Sequence, residues 1–171
     1  MYDICYIFSM EQERLKQLLD YDPETGIFKW RVRRQRIFIG RVAGNRAIKG
    51  YLFLAFDGKT YQCHRLAWFY VYGEWPKYQI DHINGIRDDN RIANLRLATP
   101  SQNLQNRPAP SSNTSGFKGV AWHKGARKWQ AYISLNSKRM YLGLFSTKED
   151  AYSAYCTAAI KHHGEFANTN C

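Results

Sequence analysis

Apolar and polar positions along the chain change period several times, and each change predicts an element. Leu15, Leu18 and Leu19 recur at helical spacing behind Ser9-Met10-Glu11-Gln12, which has the form of a capping box and predicts a helix opening at Ser9. Asp22-Pro23-Glu24-Thr25-Gly26 then turns the chain. Short β-like runs follow at residues 27–32 and 37–42. Residues 51–56 and 59–63 flank Asp57-Gly58, a pair that predicts a tight hairpin because both turn positions take positive φ. Residues 64–72 read as a short helix closed by Gly73, with Trp68, Phe69 and Tyr72 feeding a core. Two strands around a polar loop that starts at Asn84-Gly85 come next. A helix follows them, with Thr99 as its cap, Pro100 at its first position and Gln102 completing a capping box. Asn103 and Asn106 share one face of that helix, and Pro108 stops it.

The pattern then breaks. Arg107-Pro108-Ala109-Pro110-Ser111-Ser112-Asn113-Thr114 blocks helix and offers no core residues, so it reads as a linker. Beyond it, Trp129, Ala131, Ile133 and Leu135 alternate with Gln130, Tyr132 and Ser134, and Met140, Leu142 and Leu144 alternate with Arg139 and Tyr141. Asn136-Ser137 supplies the turn between these two strands. Ser146-Thr147-Lys148-Glu149 predicts the start of a helix whose face of Ala151, Ala154, Tyr155, Ala158 and Ala159 lies close on the sheet, with Gly164 at its end. The expected fold is α+β in two parts: residues 1–107, a linker at 108–114, and residues 115–171 with a three-stranded antiparallel sheet and one packed helix.

Composition narrows the function. The chain has 171 residues, 44% of them apolar, so a packed core is expected and wholesale disorder is excluded. Lys and Arg number 25 against 14 Asp and Glu, a net charge of +11, which favours polyanionic partners with nucleic acid first. Both parts share the excess, so both are expected to touch it. Arg31, Arg33, Arg34 and Arg36 cluster near one turn, either as a solvated loop or as a DNA contact. Cys5, Cys63, Cys156 and Cys171 show no metal or disulfide spacing and are expected as reduced thiols. No apolar run is long enough to span a membrane, and the apolar start is too short for a signal peptide, so the expected compartment is the cytoplasm.

The chemistry concentrates in Asp81-His82, Asn94 and Asn103. The Asp81 carboxylate and the Asn103 amide oxygen are hard ligands suited to Mg²⁺ or Mn²⁺. A neutral His82 imidazole is a suitable base for activating water, and Asn94 could hold it in one tautomer. Asp81 and His82 are sequence neighbours on a strand, so a strand end or local distortion must bring both to one site.

His64-Arg65-Leu66-Ala67-Trp68, Asp81-His82-Ile83-Asn84-Gly85, Asp89-Asn90-Arg91, Asn94-Leu95-Arg96 and Gln102-Asn103-Leu104-Gln105-Asn106 resemble the signature of HNH nucleases, in particular phage-type homing endonucleases of the His-Me finger (ββα-metal) class. The leader Tyr21-Asp22-Pro23-Glu24-Thr25-Gly26 is similar too, and the resemblance spans residues 10–107. It implies His82 as general base, Asn94 as the residue orienting it, and Asp81 and Asn103 as ligands of one divalent metal ion, with no small-molecule cofactor. His64 is expected to be structural. Arg87, Arg91 and Arg96 are candidate phosphate clamps, or simply solvated.

Ser115-Gly116-Phe117-Lys118-Gly119-Val120, Lys128-Trp129-Gln130-Ala131-Tyr132-Ile133, Tyr141-Leu142-Gly143-Leu144-Phe145 and Glu149-Asp150-Ala151-Tyr152-Ser153-Ala154-Tyr155 resemble the plant Apetala/ethylene-response-factor DNA-binding domain. This implies a sheet laid in the major groove of double-stranded DNA, with Lys118, Gly119, Arg139 and Tyr141 at contacting places; Arg127 and Arg96 join them as basic candidates. Ala121, His123, Tyr132 and Ser134 depart from the strong readers of the plant domains, so plant target sequences do not transfer. The function expected is a metal-dependent, site-preferring DNA endonuclease that leaves 5′-phosphate and 3′-hydroxyl ends. Its competitors are a DNA-binding transcription regulator with an inactive nuclease domain, against which the intact Asp81, His82 and Asn103 speak, and a structural or RNA-binding protein.

Overall fold

The computed structural model describes residues 4–33, 36–46, 49–135 and 138–169. The chain forms two compact units, residues 1–98 and residues 99–171. The expected linker, 108–114, and the helix before it therefore belong to the second unit.

The first unit opens with α1 (Ile4–Leu18), which starts ahead of Ser9. Nothing in residues 4–8 breaks a helix, so Ser9 lies inside it and is no cap. β1 (Leu19–Asp22) and β2 (Ile27–Trp30) pair antiparallel around the Asp22–Gly26 turn. Asp22 organises that turn, accepting from the Glu24 amide (2.9 Å) and the Thr25 hydroxyl (2.7 Å). Leu19, Tyr21, Phe28 and Trp30 alternate inward into the core with Leu15, Leu66 and Phe69. β3 (Val42–Ala43) pairs with β2 but is only two residues long. The expected strand at 37–42 is cut short because the Arg41 amide closes a turn on the Phe38 carbonyl, with Gly40 at φ 82°.

β4 (Asn45–Arg46), β5 (Leu52–Phe56) and β6 (Lys59–Gln62) form a second small sheet. Asp57 (φ 44°) and Gly58 (φ 77°) make the expected hairpin turn. α2 (Cys63–Tyr72) ends at Gly73, whose amide donates to the Phe69 carbonyl. Phe69 is fully buried and stacks on Trp75. Tyr72 is exposed, contrary to expectation, because it shares an outer face with Trp68, four residues back. β7 (Gln79–His82) and β8 (Leu95–Ala98) complete this unit as an antiparallel pair, with a 3₁₀ turn at Ile92–Asn94 before β8.

The second unit begins with α3 (Pro100–Gln105), capped by Thr99 through the expected reciprocal box. β9 (Val120–His123), β10 (Lys128–Leu135) and β11 (Lys138–Phe145) form an antiparallel sheet with β10 central; the Asn136-Ser137 turn lies outside the described residues. Ala131 pairs with Gly143 but Tyr132 with Tyr141, so Leu142 is an extra residue. That bulge reverses the alternation expected for the end of β11: Phe145 packs into the core and Leu144 is exposed. α4 (Lys148–His163) is capped by Thr147, one residue later than expected, through the Asp150 amide. Ala151, Ala158 and Ala159 on α4 are buried with Val120, Ala131 and Ile133 of the sheet. Cys63 and Cys156 are free thiols.

Candidate active site

The register of the β7–β8 pair sets Asp81 opposite Arg96 and His82 opposite Leu95. Opposed side chains on paired strands stand close, and Arg96 uses this to bond Asp81: Nε at 2.9 Å and Nη2 at 2.8 Å, both on Oδ2. Asp81 and His82 are each 5% exposed, the strand end burying both neighbours at once.

His82 Nε2 lies 3.2 Å from Asn90 Oδ1. A carboxamide oxygen only accepts, so this contact puts the ring proton on Nε2 and leaves the lone pair on Nδ1. Burial, the largest influence, lowers the His82 pKa from its ordinary value, and the Asn90 bond and the Asp81 charge partly oppose it. The imidazole is therefore neutral at pH 7, as a proton acceptor must be. His64, at the start of α2, presents its ring edge-on to His82 at 5.1 Å, and Tyr51 lies 6.0 Å away.

Asn90 carried no expected role, yet it is 1% exposed and belongs to the best-buried side chains. The turn after β1 holds it. Tyr21 Oη donates to the Asn90 carbonyl (2.7 Å), and the Ile92 amide donates to the Pro23 carbonyl (3.2 Å). A side chain at Gly26, which sits at φ 72°, would collide with the Asn90 and Arg91 backbone. The leader motif thus buttresses the segment that orients the histidine. Its signal was the Asp89-Asn90-Arg91 run itself, whose middle member no periodicity explains.

Asn94 works differently from expectation. Its Oδ1 accepts from the Asn84 amide (3.0 Å) and its Nδ2 donates to the Asp89 carbonyl (2.8 Å). Its own carbonyl accepts from the Ile83 amide (2.9 Å). It staples both ends of the loop behind His82 and does not hold the imidazole. Asp89 closes the same loop onto Asn84 and Arg91, and those contacts hold its carboxyl down at about 2. Of the other candidate clamps, Arg87 donates to the Lys49 carbonyl (2.8 Å), and Arg96 is committed to Asp81.

Burial pushes the His64 imidazole down to about 3, helped by His82 and Arg65. An unfolded chain takes up that proton near pH 6.5, as free histidine does, whereas the fold refuses it until about 3. Stability is then full above about pH 6.5 and falls as the pH drops, by up to about 1.4 kcal/mol per pH unit for this one group. Urea midpoints measured between pH 7 and pH 4 are expected to show that slope, and His64→Phe to flatten it.

Asn103 lies half-buried on α3, in the second unit. The candidate donor set, a carboxylate and an amide oxygen, suits a hard divalent cation. Among the described residues no group of three or more His, Cys, Asp or Glu side chains offers an alternative metal centre.

On the sheet of the second unit, Arg139 and Tyr141 are exposed, with the Arg139 guanidinium 4.8 Å from the Tyr132 ring centre. Arg127, also exposed, takes φ 51° in the β9–β10 turn. Two expected DNA contacts have structural employment instead. Gly119, at φ 74°, is glycine because any side chain would strike the Tyr155 ring and the Tyr132 carbonyl. Lys118 Nζ donates to the Gln105 (2.5 Å) and Arg107 (2.6 Å) carbonyls, while Asn168 Nδ2 donates to that of Asn106 (2.7 Å). The orphan carbonyls ending α3 are thus capped from the sheet domain. Burial pushes the Lys118 ammonium down to about 8. Lys118→Met is expected to cost roughly 1.5–3 kcal/mol of stability, the range for a charged hydrogen bond. DNA affinity in EDTA should change far less; an unfolding titration beside a binding titration separates the two.

Known proteins resemble parts of this chain. The model of the HNH endonuclease family matches residues 61–105, which hold α2, β7, the Asn90 loop, β8 and α3. Protein 3.8 of Escherichia phage T7 is 36% identical over 105 residues, 61% of this chain and 86% of that protein. The AP2-like ethylene-responsive transcription factor CRL5 of Oryza sativa subsp. japonica is 47% identical over 62 residues, 35% of this chain but only 10% of the plant protein. The solved structure of the HNH homing endonuclease I-HmuI, described for DNA binding and cleavage, is similar at 20% identity and a TM-score of 0.39, over 85% of this chain and 84% of that one. With most of the phage protein's length matched and the family model falling on residues 61–105, the chain belongs to the HNH endonuclease family and is a nuclease with DNA as its partner.

Proposed function

We propose that this nuclease hydrolyses phosphodiester bonds in double-stranded DNA with His82 as general base. The carrying observation is the buried, neutral imidazole held through Nε2 by Asn90 Oδ1, the tautomer whose basic nitrogen is Nδ1. The attack is in line on phosphorus, and the ends are a 5′-phosphate and a 3′-hydroxyl. Asp81 and Asn103 would hold one Mg²⁺ or Mn²⁺ ion, the divalent-metal dependence being general in HNH endonucleases. When bound, that ion neutralises charge on the scissile phosphate and the departing 3′ oxygen. Arg96 holds the buried Asp81 carboxylate in place through its ion pair.

The nuclease domain of this reading is 1–107, the linker 108–114 and the DNA reader 115–171. The likeness to AP2-type transcription factors supports a major-groove reader that presents Arg127, Arg139 and Tyr141 from the open sheet face. The reader supplies address and residence time, and the histidine site supplies the cut. Among the described residues no helix is long and apolar enough to cross a membrane, and the phage relative supports the cytoplasm of an infected bacterium as the compartment. A cleavage map on end-labelled duplex, with Mg²⁺, with Mn²⁺ and in EDTA, tests the reading. Discrete cuts that need metal and leave ligatable ends are expected; metal-independent cutting, or ends carrying a 3′-phosphate, would overturn it.

A further inference from the structure

Most of the chain's net charge sits where neither the histidine site nor the reader sheet uses it. Residues 25–56 contain eight basic side chains (Lys29, Arg31, Arg33, Arg34, Arg36, Arg41, Arg46 and Lys49) and no acidic one. The segment includes β2, β3 and the connection between them. The Gly40 amide donates to the Trp30 carbonyl (2.7 Å) and the Trp30 amide to that of Arg41 (2.9 Å), so the pairing runs on past the ends of the strands. The Arg41 amide then closes on the Phe38 carbonyl at 3.2 Å. With Gly40 at φ 82°, Ile39 and Gly40 are the centre of a tight turn.

That turn carries the two side chains a soluble surface least accommodates. Phe38 is 65% exposed and Ile39 is 68% exposed, and Val42 behind them is exposed too. Arg31, Arg33, Arg36 and Arg41 lie within ten residues of them along the chain, all exposed, and among the described residues none pairs with a carboxylate; Arg31 donates to the Lys16 carbonyl (3.2 Å). The Arg33 guanidinium instead rests 6.0 Å from the Phe38 ring centre, and Arg41 donates to the Arg36 carbonyl. An apolar tip flanked along the chain by arginines that pair with no carboxylate has one natural complement, a polyanion with an apolar interior reached between its charges. Duplex DNA has this build: phosphates outside, stacked bases within. Proteins that bend it place arginines along the minor groove and an apolar wedge between base steps.

We propose that the Phe38–Arg41 turn is a DNA wedge: Phe38 and Ile39 insert between base steps from the minor groove while Arg31, Arg33, Arg36 and Arg41 hold the flanking phosphates. The proposal rests on duplex DNA being the partner, as in the reading above, but not on the cutting chemistry. Unstacking a base step is unfavourable, and the arginine contacts to phosphate offset it. The insertion opens and unwinds the duplex, and so makes a phosphate near the kink easier for a nuclease to reach.

The test uses the full chain in EDTA, so that cleavage does not intervene. A nicked circular plasmid is saturated with protein, religated, stripped and resolved by linking number. The wild type is expected to lower the linking number in proportion to bound protein, and Phe38→Ser with Ile39→Ser to lose most of that change at saturation. These side chains are exposed, and an unchanged melting temperature confirms the fold. Arg31→Gln with Arg33→Gln and Arg36→Gln should reduce the slope of log affinity against log salt by about three, near one unit for each phosphate left without its arginine. A wild type that does not unwind DNA, or a serine variant that unwinds as the wild type does, overturns the wedge. So does tip-dependent binding to phosphatidylglycerol vesicles that exceeds DNA binding at equal salt, since the patch would then be a membrane contact. Cutting without unwinding refutes the wedge alone, and unwinding without cutting refutes the nuclease chemistry alone.

Discussion

His82→Ala is expected to lower cleavage of supercoiled plasmid by about a thousand-fold, within the range that loss of a general base produces, while duplex affinity in EDTA stays near the wild-type value. The imidazole is buried, neutral and oriented through Nε2 by Asn90, so its removal leaves water with no positioned acceptor. Asn90 offers a graded control. Asn90→Ala keeps the imidazole but frees its tautomer and ring plane, so a smaller loss is expected, with a shifted pH–rate profile as its mark. If His82→Ala cuts at the wild-type rate, His82 is not the base and the proposed mechanism fails, whatever the rest of the fold does.

Asn103→Ala carries the second large effect. In the proposed metal site Asn103 is one of two protein ligands, and its loss should cost ten- to a hundred-fold in apparent metal affinity, about the range that disturbing a metal site produces. Cleavage at low Mg²⁺ should fall accordingly and recover as Mg²⁺ or Mn²⁺ is raised. Asn103 sits in the middle of α3, where its backbone amide donates to the Thr99 carbonyl (3.0 Å). A melting curve and a binding titration in EDTA, run beside the cleavage assay, separate a lost metal ligand from a loosened helix. A folded variant with unaltered metal dependence removes Asn103 from the ligand set.

The chain belongs to its family by residues that are visible in order but not in arrangement. Asp81 and His82 announce themselves as adjacent polar residues in an apolar strand. Adjacency predicts opposite faces, and only the end of β7, where the chain turns into the loop, lets both be buried at once. Asn94 is legible as an unusual residue in a strand context, but its task is not. An amide can serve an imidazole or a backbone, and the loop that needs stapling exists only after folding. Asn90 escapes a local reading because its signal is long-range: the turn that holds it lies almost seventy residues upstream, through Tyr21, Pro23 and Gly26. Lys118 misleads for a related reason. A lysine in a basic, groove-reading domain resembles a phosphate contact until the end of a neighbouring helix is seen to need its protons.

Local chemistry by itself determined the hairpin at Asp57-Gly58, the Thr99 capping box, the helical stops at Gly73 and Gly164 and the two-part α+β plan, because turns, caps and periodicity act over a few residues. Tertiary structure decided what depends on distant partners. It set which amide meets His82 and which carbonyls claim Lys118. It put the Leu142 bulge where Phe145 turns into the core, and it left Phe38 and Ile39 in solvent among arginines. An apolar residue reads the same in sequence whether it is core or wedge, and only the packing around it, or its absence, tells them apart.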